Sequence, residues 1–303
     1  MIIIEGNAVA DYPDISIFNF AKDVGITPTQ GQANLLQTWY TPSLSYATGK
    51  YQEIPDLPKI AWIAVGRRGG TSLMSSLILA HDAIQFVLNW PEKTVNQPYF
   101  VLMTLHNDHA SYAQPLIKQL VTNFIRKYNT ENRQKNVNFP GLEQDSSRDC
   151  ITIWDNNQPS KKARIIIRPA NAHTLRGCAA RTVIMDTMAY FREPEEAYYA
   201  VRPTIAHDGG RMIIFSTPHK DPKNFFNNRW HAEQKLVLQQ EEDLSMQMPG
   251  VWNCVVPAVW VHSAPTWVLN PSRSIDEIMK EQLRFGDVAL SDFALEFGAI
   301  VPK

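Results

Sequence analysis

Cysteine is scarce in this sequence, and the few copies are far apart. The three cysteines are Cys150, Cys178 and Cys254, and no CxxC or CxxH pair occurs. An odd and scattered set of this kind supports neither a disulfide framework nor a structural zinc site. We therefore expect a protein of a reducing, intracellular compartment.

Long hydrophobic runs and an excess of either charge are also missing. The longest apolar stretches, such as residues 60–65 and 182–185, fall far short of the roughly 20 residues that cross a bilayer. The N-terminus shows no basic and then apolar segment of the signal-peptide type, and we expect a soluble protein with no membrane partner. Because the net charge is -1, any nucleic-acid contact must come from local clusters of lysine and arginine.

What is present indicates a folded α/β domain. The 303 residues are 44% hydrophobic, which excludes a disordered or collagen-like chain. Short apolar runs rich in Val, Ile and Thr alternate with longer segments of helical pattern, and such runs suit the buried strands of a parallel sheet. The predicted strands span residues 60–65, 99–104, 151–154, 164–168, 182–186 and 212–216. The predicted helices span residues 72–88, 109–128, 194–202 and 224–238.

This order of elements predicts a mostly parallel central sheet with helices on both faces and a hairpin-like insertion around residues 150–168. Toward the C-terminus the sequence changes character, with a run that contains Pro and Trp and then a helix whose Ser274 and Glu277 have capping-box spacing. We therefore expect a core over residues 1–240 and a small lid or linker subdomain over residues 241–303.

A glycine-rich turn follows the first predicted strand and precedes a helix. It reads Gly66-Arg67-Arg68-Gly69-Gly70-Thr71-Ser72. A strand that turns through glycines into a helix N-terminus directs backbone N–H groups and the positive end of the helix dipole at one point, which suits a phosphate. The Walker A pattern G-x-x-x-x-G-K-[ST] needs a lysine where Thr71 stands, whereas Ser72 supplies the hydroxyl for Mg²⁺. Turn chemistry alone would also explain the glycines.

A second candidate is the carboxylate that ends the predicted strand 182–186. In P-loop ATPases an aspartate at this place, in the Walker B motif, holds Mg²⁺, and a glutamate after it polarises the attacking water. Here Asp186 is followed by Thr187. Read alone, Asp186 could equally be a helix cap or a turn residue.

Two further motifs could complete a nucleotide site at the same edge of the sheet. Ser216 and Thr217 end the last predicted strand, where their hydroxyl groups could sense a γ-phosphate. Gln30 lies ahead of a helix, and its amide could hydrogen-bond both edges of an adenine. Taken singly, the first motif is a turn and the second a helix cap.

In this order and at these separations, the motifs resemble the ATPase domain of the large terminase subunit, the DNA-packaging motor of tailed phages. The resemblance covers nearly the whole chain. It implies a P-loop NTPase fold of the additional-strand (ASCE, RecA-like) type that binds ATP with Mg²⁺ and hydrolyses ATP. The motifs that carry it are Thr27-Pro28-Thr29-Gln30, the turn Gly66 to Ser72, Leu175-Arg176-Gly177, the strand that ends in Asp186-Thr187, Ser216-Thr217-Pro218 and Asn224-Phe225-Phe226.

The resemblance assigns site residues. Arg67, Arg68, Asp186, Thr187 and Arg176 would be catalytic, and Ser72 and Asp186 would hold Mg²⁺. The nucleotide-binding set would be Gln30, Gly66, Arg67, Arg68, Gly69, Gly70, Thr71, Ser72, Ser216 and Thr217.

The resemblance also implies partners and a place of action. It implies translocation of double-stranded DNA into a procapsid by a homo-oligomeric, pentameric ring on the portal protein, with the small terminase subunit as a further partner. The place of action would be the host cytoplasm and, transiently, the procapsid portal. The nuclease domain of this family would begin about where the chain stops, so no DNA cleavage is expected of the chain.

Two residues depart from the family pattern. The family has lysine at position 71 and glutamate at position 187, and both are threonine here. The lysine neutralises charge on the transferred phosphoryl group and the glutamate orients water, so each loss would cost on the order of 10²–10³ in rate. Arg67 or Arg68 could partly replace the lysine, because arginine grips phosphate bidentately. We therefore expect nucleotide binding with impaired hydrolysis.

Other basic residues are candidates for contacts in trans or with DNA. Arg164, Arg168 and Arg176 could reach a neighbouring subunit's nucleotide, with a surface ion pair as the alternative for each. Phosphate contacts of DNA could form at basic clusters, which a solvated surface explains as well. These clusters are Arg126-Lys127, Arg133 with Lys135, and Lys161-Lys162 with Arg164.

Two other functions stay open on the sequence. A helicase or another nucleic-acid-dependent ATPase would share the P-loop, but it would need further DNA-contact motifs and a second core for which the chain has no room. A decayed P-loop domain that acts as a nucleotide- or DNA-binding or assembly module is favoured by Thr71 and Thr187.

Overall fold

A mixed β-sheet runs through the centre of the protein. In the computed structural model the described residues are 15–40, 59–91, 97–135, 141–147, 149–170, 179–206, 209–240, 246–248, 251–256, 259–283 and 290–302. The strands found in these ranges are β1 (Ile60–Val65), β2 (Tyr99–Thr104), β3 (Leu142–Ser146), β4 (Cys150–Asp155), β5 (Gln158–Pro169), β6 (Ala180–Asp186), β7 (Arg211–Ser216), β8 (Met246–Met248), β9 (Val251–Val256) and β10 (Val259–Ala264). They form one sheet in the order β3-β4-β5-β2-β6-β7-β1-β10-β9-β8.

Helices connect most of the parallel strands. The helices found in the described ranges are α1 (Ile17–Asp23), α2 (Gln30–Tyr40), α3 (Thr71–Leu88), α4 (Asn107–Lys135), α5 (Pro194–Val201), α6 (Phe225–Gln240), α7 (Thr266–Leu269), α8 (Ile275–Leu283) and α9 (Leu290–Glu296). Every neighbouring pair from β5 through β10 in the sheet order is parallel, whereas β3, β4, β8 and β9 pair antiparallel at the two edges. The predicted α/β class and the hairpin insertion, which is β4–β5, are therefore confirmed.

The central strands are buried on both faces, as their apolar runs predict. In β1, Ile63 and Val65 belong to a core that includes residues of α1 to α4, while Trp62 and Ala64 belong to a second core on the opposite face with α5 and α6. Successive side chains of a strand point to opposite faces, so one strand serves both cores. The sheet is thus covered by helices on both sides.

Helix α3 forms the centre of the first core. By length and composition it is apolar enough to cross a membrane, but 67% of it is buried inside the protein. A core helix of an α/β domain has the same composition, because it packs on its neighbours almost all round. Its first turn follows the glycine-rich loop directly.

The C-terminal part of the chain extends the same sheet. Strand β10 pairs in parallel with β1, from Ile60 opposite Val259 to Val65 opposite Ala264. The predicted capping box is present at the start of α8: the backbone N–H of Ser274 donates to Glu277 Oε2 (3.0 Å) and that of Glu277 donates to Ser274 Oγ (3.2 Å). The division of the chain at residue 240 stays a prediction.

His262 in β10 gives the protein a pH-dependent stability. The side chain is buried, and burial lowers its pKa to about 4. The unfolded chain, with a histidine pKa near 6.5, binds the proton first as the pH falls, so the free energy of unfolding decreases between about pH 6.5 and pH 4. We expect His262→Gln to remove roughly 2–3 kcal/mol of this decrease. Urea unfolding of both proteins at pH 7.5 and 4.5 measures it, and His106→Gln at an exposed position is the control.

Candidate nucleotide-binding site

The phosphate-loop strand and the aspartate strand end at the same edge of the sheet, with β7 between them. Ser216, the last residue of β7, lies beside Ala64 of β1, and Asp186, the last residue of β6, lies beside Phe215 of β7. Because the three strands are parallel, their carboxyl ends converge on one crevice, which is where open α/β sheets bind ligands.

The glycine-rich turn forms a tight loop between β1 and α3. The N–H of Gly69 donates to the carbonyl oxygen of Gly66 (3.1 Å), and Arg68 and Gly70 have positive φ angles of 63° and 89°. Gly70 is the N-cap of α3. Since the first N–H groups of a helix have no partner within the helix, the loop presents donors and a positive dipole end at this edge.

Ser72 and Asp186 come together as the sequence predicts for a magnesium site. The Ser72 hydroxyl lies 3.5 Å from Asp186 Oδ2. Burial raises the pKa of the Asp186 carboxyl, and hydrogen bonding from Thr71 and the nearby charge of His109 oppose this rise. A hydroxyl and a carboxylate are hard oxygen ligands, which Mg²⁺ prefers together with phosphate oxygens. The pair therefore fits an Mg²⁺-nucleotide.

Thr187 has an unusual backbone. Its φ of 69° is in the left-handed region, where a β-branched residue is strained. Its N–H donates to Phe215 O (2.8 Å), and its hydroxyl lies 3.5 Å from Asp186 Oδ1. The residue thus stands at the crevice beside the aspartate, but its side chain has no carboxylate to orient water.

Ser216 and Thr217 connect β7 to the turn that follows Asp186. Ser216 Oγ accepts from the N–H of Ala189 (3.0 Å) and donates to Thr217 O (2.8 Å). The Asn224 side chain donates to Ala189 O (2.9 Å), and the Tyr190 hydroxyl donates to Pro218 O (3.2 Å). In this state Ser216 is therefore used inside the protein, and it ties the coupling motif to the aspartate strand.

Gln32 is a loop contact that the sequence reading missed. Gln30 lies exposed in the first turn of α2, where its amide donates to Asn34 Oδ1 (2.8 Å). The buried side chain of Gln32 instead donates to Gly69 O (3.2 Å) and accepts from the N–H of Thr29 (3.2 Å). Two glutamines two positions apart gave the available signal. The role of Gln30 at adenine stays a prediction.

The loop arginines are paired with acids of the C-terminal helices. Arg67 Nη1 lies 3.2 Å from Glu296 Oε2, and Arg68 Nη1 lies 3.1 Å from Glu281 Oε1. Of the other arginine candidates, Arg168 pairs with Asp149 (3.1 Å), which is the surface ion pair given as its alternative. Arg176 and the motif 175–177 lie outside the described residues.

Comparison with solved structures places this fold among phage terminases. The chain is similar to the large terminase ATPase domain of Thermus phage P74-26, with 18% identity, 93% of this chain and 97% of that chain covered, and a TM-score of 0.61. An arginine-to-alanine mutant of that domain gives 17% identity and a TM-score of 0.62.

Longer terminases are similar over part of their length. The large terminase of bacteriophage HK97 has 14% identity and a TM-score of 0.55, and the match covers 90% of this chain but 50% of that chain. A large terminase from a thermophilic bacteriophage, in complex with ADP, gives a TM-score of 0.49.

Searches by sequence add no relative. No protein-family model matches the chain, and no curated protein matches it. The similarity over 93% of the chain, together with the parallel sheet and the loop-to-helix transition after β1, identifies the fold. The chain has the α/β P-loop fold of the ATPase domain of phage large terminases.

Proposed function

We propose that the chain is the ATPase domain of a phage large terminase and binds ATP with Mg²⁺ to drive double-stranded DNA into a procapsid. The observation that carries this proposal is the meeting of the loop, the Ser72 hydroxyl and the Asp186 carboxylate (3.5 Å) at one edge of a terminase-type sheet. A fold alone hosts many functions, so the function is argued from this site.

Each part of the site has a distinct task in this proposal. The loop amides and the α3 N-terminus hold the phosphates, and Ser72 with Asp186 holds Mg²⁺, which neutralises charge on the phosphates when bound. Ser216 and Asn224 link the site to the loop after β7, through which occupancy of the nucleotide reaches the rest of the molecule. Gln32 fixes the Gly69 carbonyl from the side of α2.

Hydrolysis by this chain is proposed to be slow. Thr71 places a hydroxyl where a lysine would meet the transferred phosphoryl group, and Thr187 places one where a glutamate would orient water. Both side chains lie beside Asp186. Double-stranded DNA, the portal protein, the small terminase subunit and further copies of the chain in a pentameric ring are the proposed partners, in the host cytoplasm.

Loss of the Asp186 carboxylate tests the proposed site. We expect Asp186→Asn to weaken Mg²⁺-dependent binding of a non-hydrolysable ATP analogue at least about 10-fold, because a metal ligand is removed. The variant should unfold at an equal or higher urea concentration, since burial disfavours the ionised carboxyl in the folded state. Isothermal titration with and without Mg²⁺ measures the affinity.

Asp145→Asn, at an exposed position on β3, is the matched control. Equal analogue affinity in the wild type and in Asp186→Asn would contradict the assignment of the metal site.

A non-enzymatic assembly module is the second candidate function. The threonines at positions 71 and 187 favour it, because a P-loop domain without both groups lacks the main sources of transition-state stabilisation. The two candidates differ in one measurable property: the motor domain binds nucleotide, whereas the module is not required to.

A further inference from the structure

The C-terminal helices enclose the phosphate loop, and we call α7, α8 and α9 together the clamp. The Thr266 hydroxyl of α7 donates to Arg67 O (2.7 Å), and the Asn270 side chain donates to Arg68 O (3.2 Å). The N–H of Arg67 donates to Glu296 O (2.7 Å). The loop backbone at both arginines is therefore held by the clamp.

Two clamp carboxylates also hold the arginine side chains. Glu296 of α9 pairs with Arg67 and Glu281 of α8 pairs with Arg68. The arginine side chains are 54% and 61% exposed and the glutamates 33% and 32%, so a dissolved anion can reach both pairs. Exposed ion pairs of this kind are weak, whereas arginine binds phosphate through strong, charge-assisted hydrogen bonds.

We propose that Glu281 and Glu296 occupy the guanidinium groups of Arg67 and Arg68 in the nucleotide-free protein, and that the phosphates of a nucleoside triphosphate displace them. This inference rests on the proposed function, and it assigns the two glutamates as positioning residues that act through the arginines. A triphosphate carries several charges and so competes well with a single carboxylate at each arginine.

The exchange leaves one acid paired and the other free. Glu281 also bonds to Arg273, and this contact lowers the pKa of Glu281 together with the contact to Arg68. When Arg68 turns to a phosphate, Glu281 keeps its second partner. Glu296 keeps only the backbone contact to Arg67 among the contacts described here, so release of Arg67 loosens α9 more than α8.

A double variant tests this competition. Glu281→Gln with Glu296→Gln keeps the side-chain shape and removes both charges, and we expect it to bind the β,γ-imido analogue of ATP about 3- to 10-fold more tightly than the wild type. Asp276→Asn with Asp292→Asn is the matched control, because it makes the same change of net charge at exposed positions of α8 and α9. The control should change the affinity less than about 2-fold.

Hydrogen exchange gives a readout that needs no nucleotide. Amides of α9 should exchange faster in the unliganded glutamine variant than in the unliganded wild type, and faster in the wild type once the analogue is bound. Unchanged α9 exchange in the unliganded glutamine variant would overturn the carboxylate contact. A wild type that binds the analogue with the same affinity as the glutamine variant would overturn the competition and leave the proposed function standing. Absence of analogue binding in every variant would overturn both.

Discussion

A chain with Thr71→Lys and Thr187→Glu should hydrolyse ATP in the presence of double-stranded DNA about 10²- to 10³-fold faster than the unchanged chain. Each substitution supplies one group that stabilises the transition state of phosphoryl transfer, and removal of one such group typically costs this much. The two gains should not multiply fully, because groups that act on one transition state are not additive. Steady-state phosphate release with and without DNA measures the effect.

The structure accommodates both changes. Thr71 is the first residue of α3, where a long side chain can extend over the crevice beside Asp186. Thr187 has a φ of 69°, and a glutamate, which is not β-branched, is less strained there than threonine. We therefore expect the double variant to fold.

Uncharged residues of similar size provide the control for this experiment. Thr71→Met with Thr187→Gln fills the same space without the two charges and should stay slow. If the Lys–Glu protein binds nucleotide but turns over no faster than the Met–Gln protein, the two threonines are not the cause of slow hydrolysis. If neither protein binds nucleotide, the assembly module is the better description.

A methyl group at Gly66 should disrupt the loop and the clamp together. An added Cβ would lie 2.2 Å from Phe297 O, 2.4 Å from Thr266 Oγ1 and 2.6 Å from Thr266 N. Two of these atoms are backbone, so the clamp itself would have to move. We expect Gly66→Ala to lower the free energy of unfolding by about 3 kcal/mol and to weaken binding of the ATP analogue at least about 10-fold. Urea unfolding and titration measure the two effects.

Gly25→Ala separates this collision from backbone strain. Gly25 has a φ of +80°, and an added Cβ there meets no atom within 4 Å. That variant should lose roughly 1–2 kcal/mol from the left-handed backbone alone and keep its nucleotide affinity. Equal losses of affinity in the two alanine variants would contradict the role assigned to Gly66.

The central strands and the crossover helices could be predicted because local pattern determines them. Strands buried on both faces read as continuous apolar runs, and β1, β2, β6 and β7 all do so. The pairing of β10 with β1 could not be read in this way, since parallel pairing of distant segments leaves no local signal. The clamp carboxylates were missed for the same reason, because they meet the loop only through the folded C-terminal segment.

The two glutamines show the limit at the scale of single residues. Gln30 and Gln32 are two positions apart on α2, and a helix turns by more than half a revolution between them. One side chain is therefore exposed and the other reaches Gly69. Sequence reasoning identified the motif but not the side of the helix that faces the loop, because this side depends on how α2 packs against α7.

Because β10 lies beside β1, the strand that leads into the phosphate loop has hydrogen-bonded neighbours on both sides. A fragment that ended at residue 240 would leave β1 as an open border of the sheet, with unpaired amides available to another molecule's strand. The rigidity of the floor beneath the triphosphate thus depends on a segment that is made last during synthesis, and no shorter piece of this chain contains the whole of that floor.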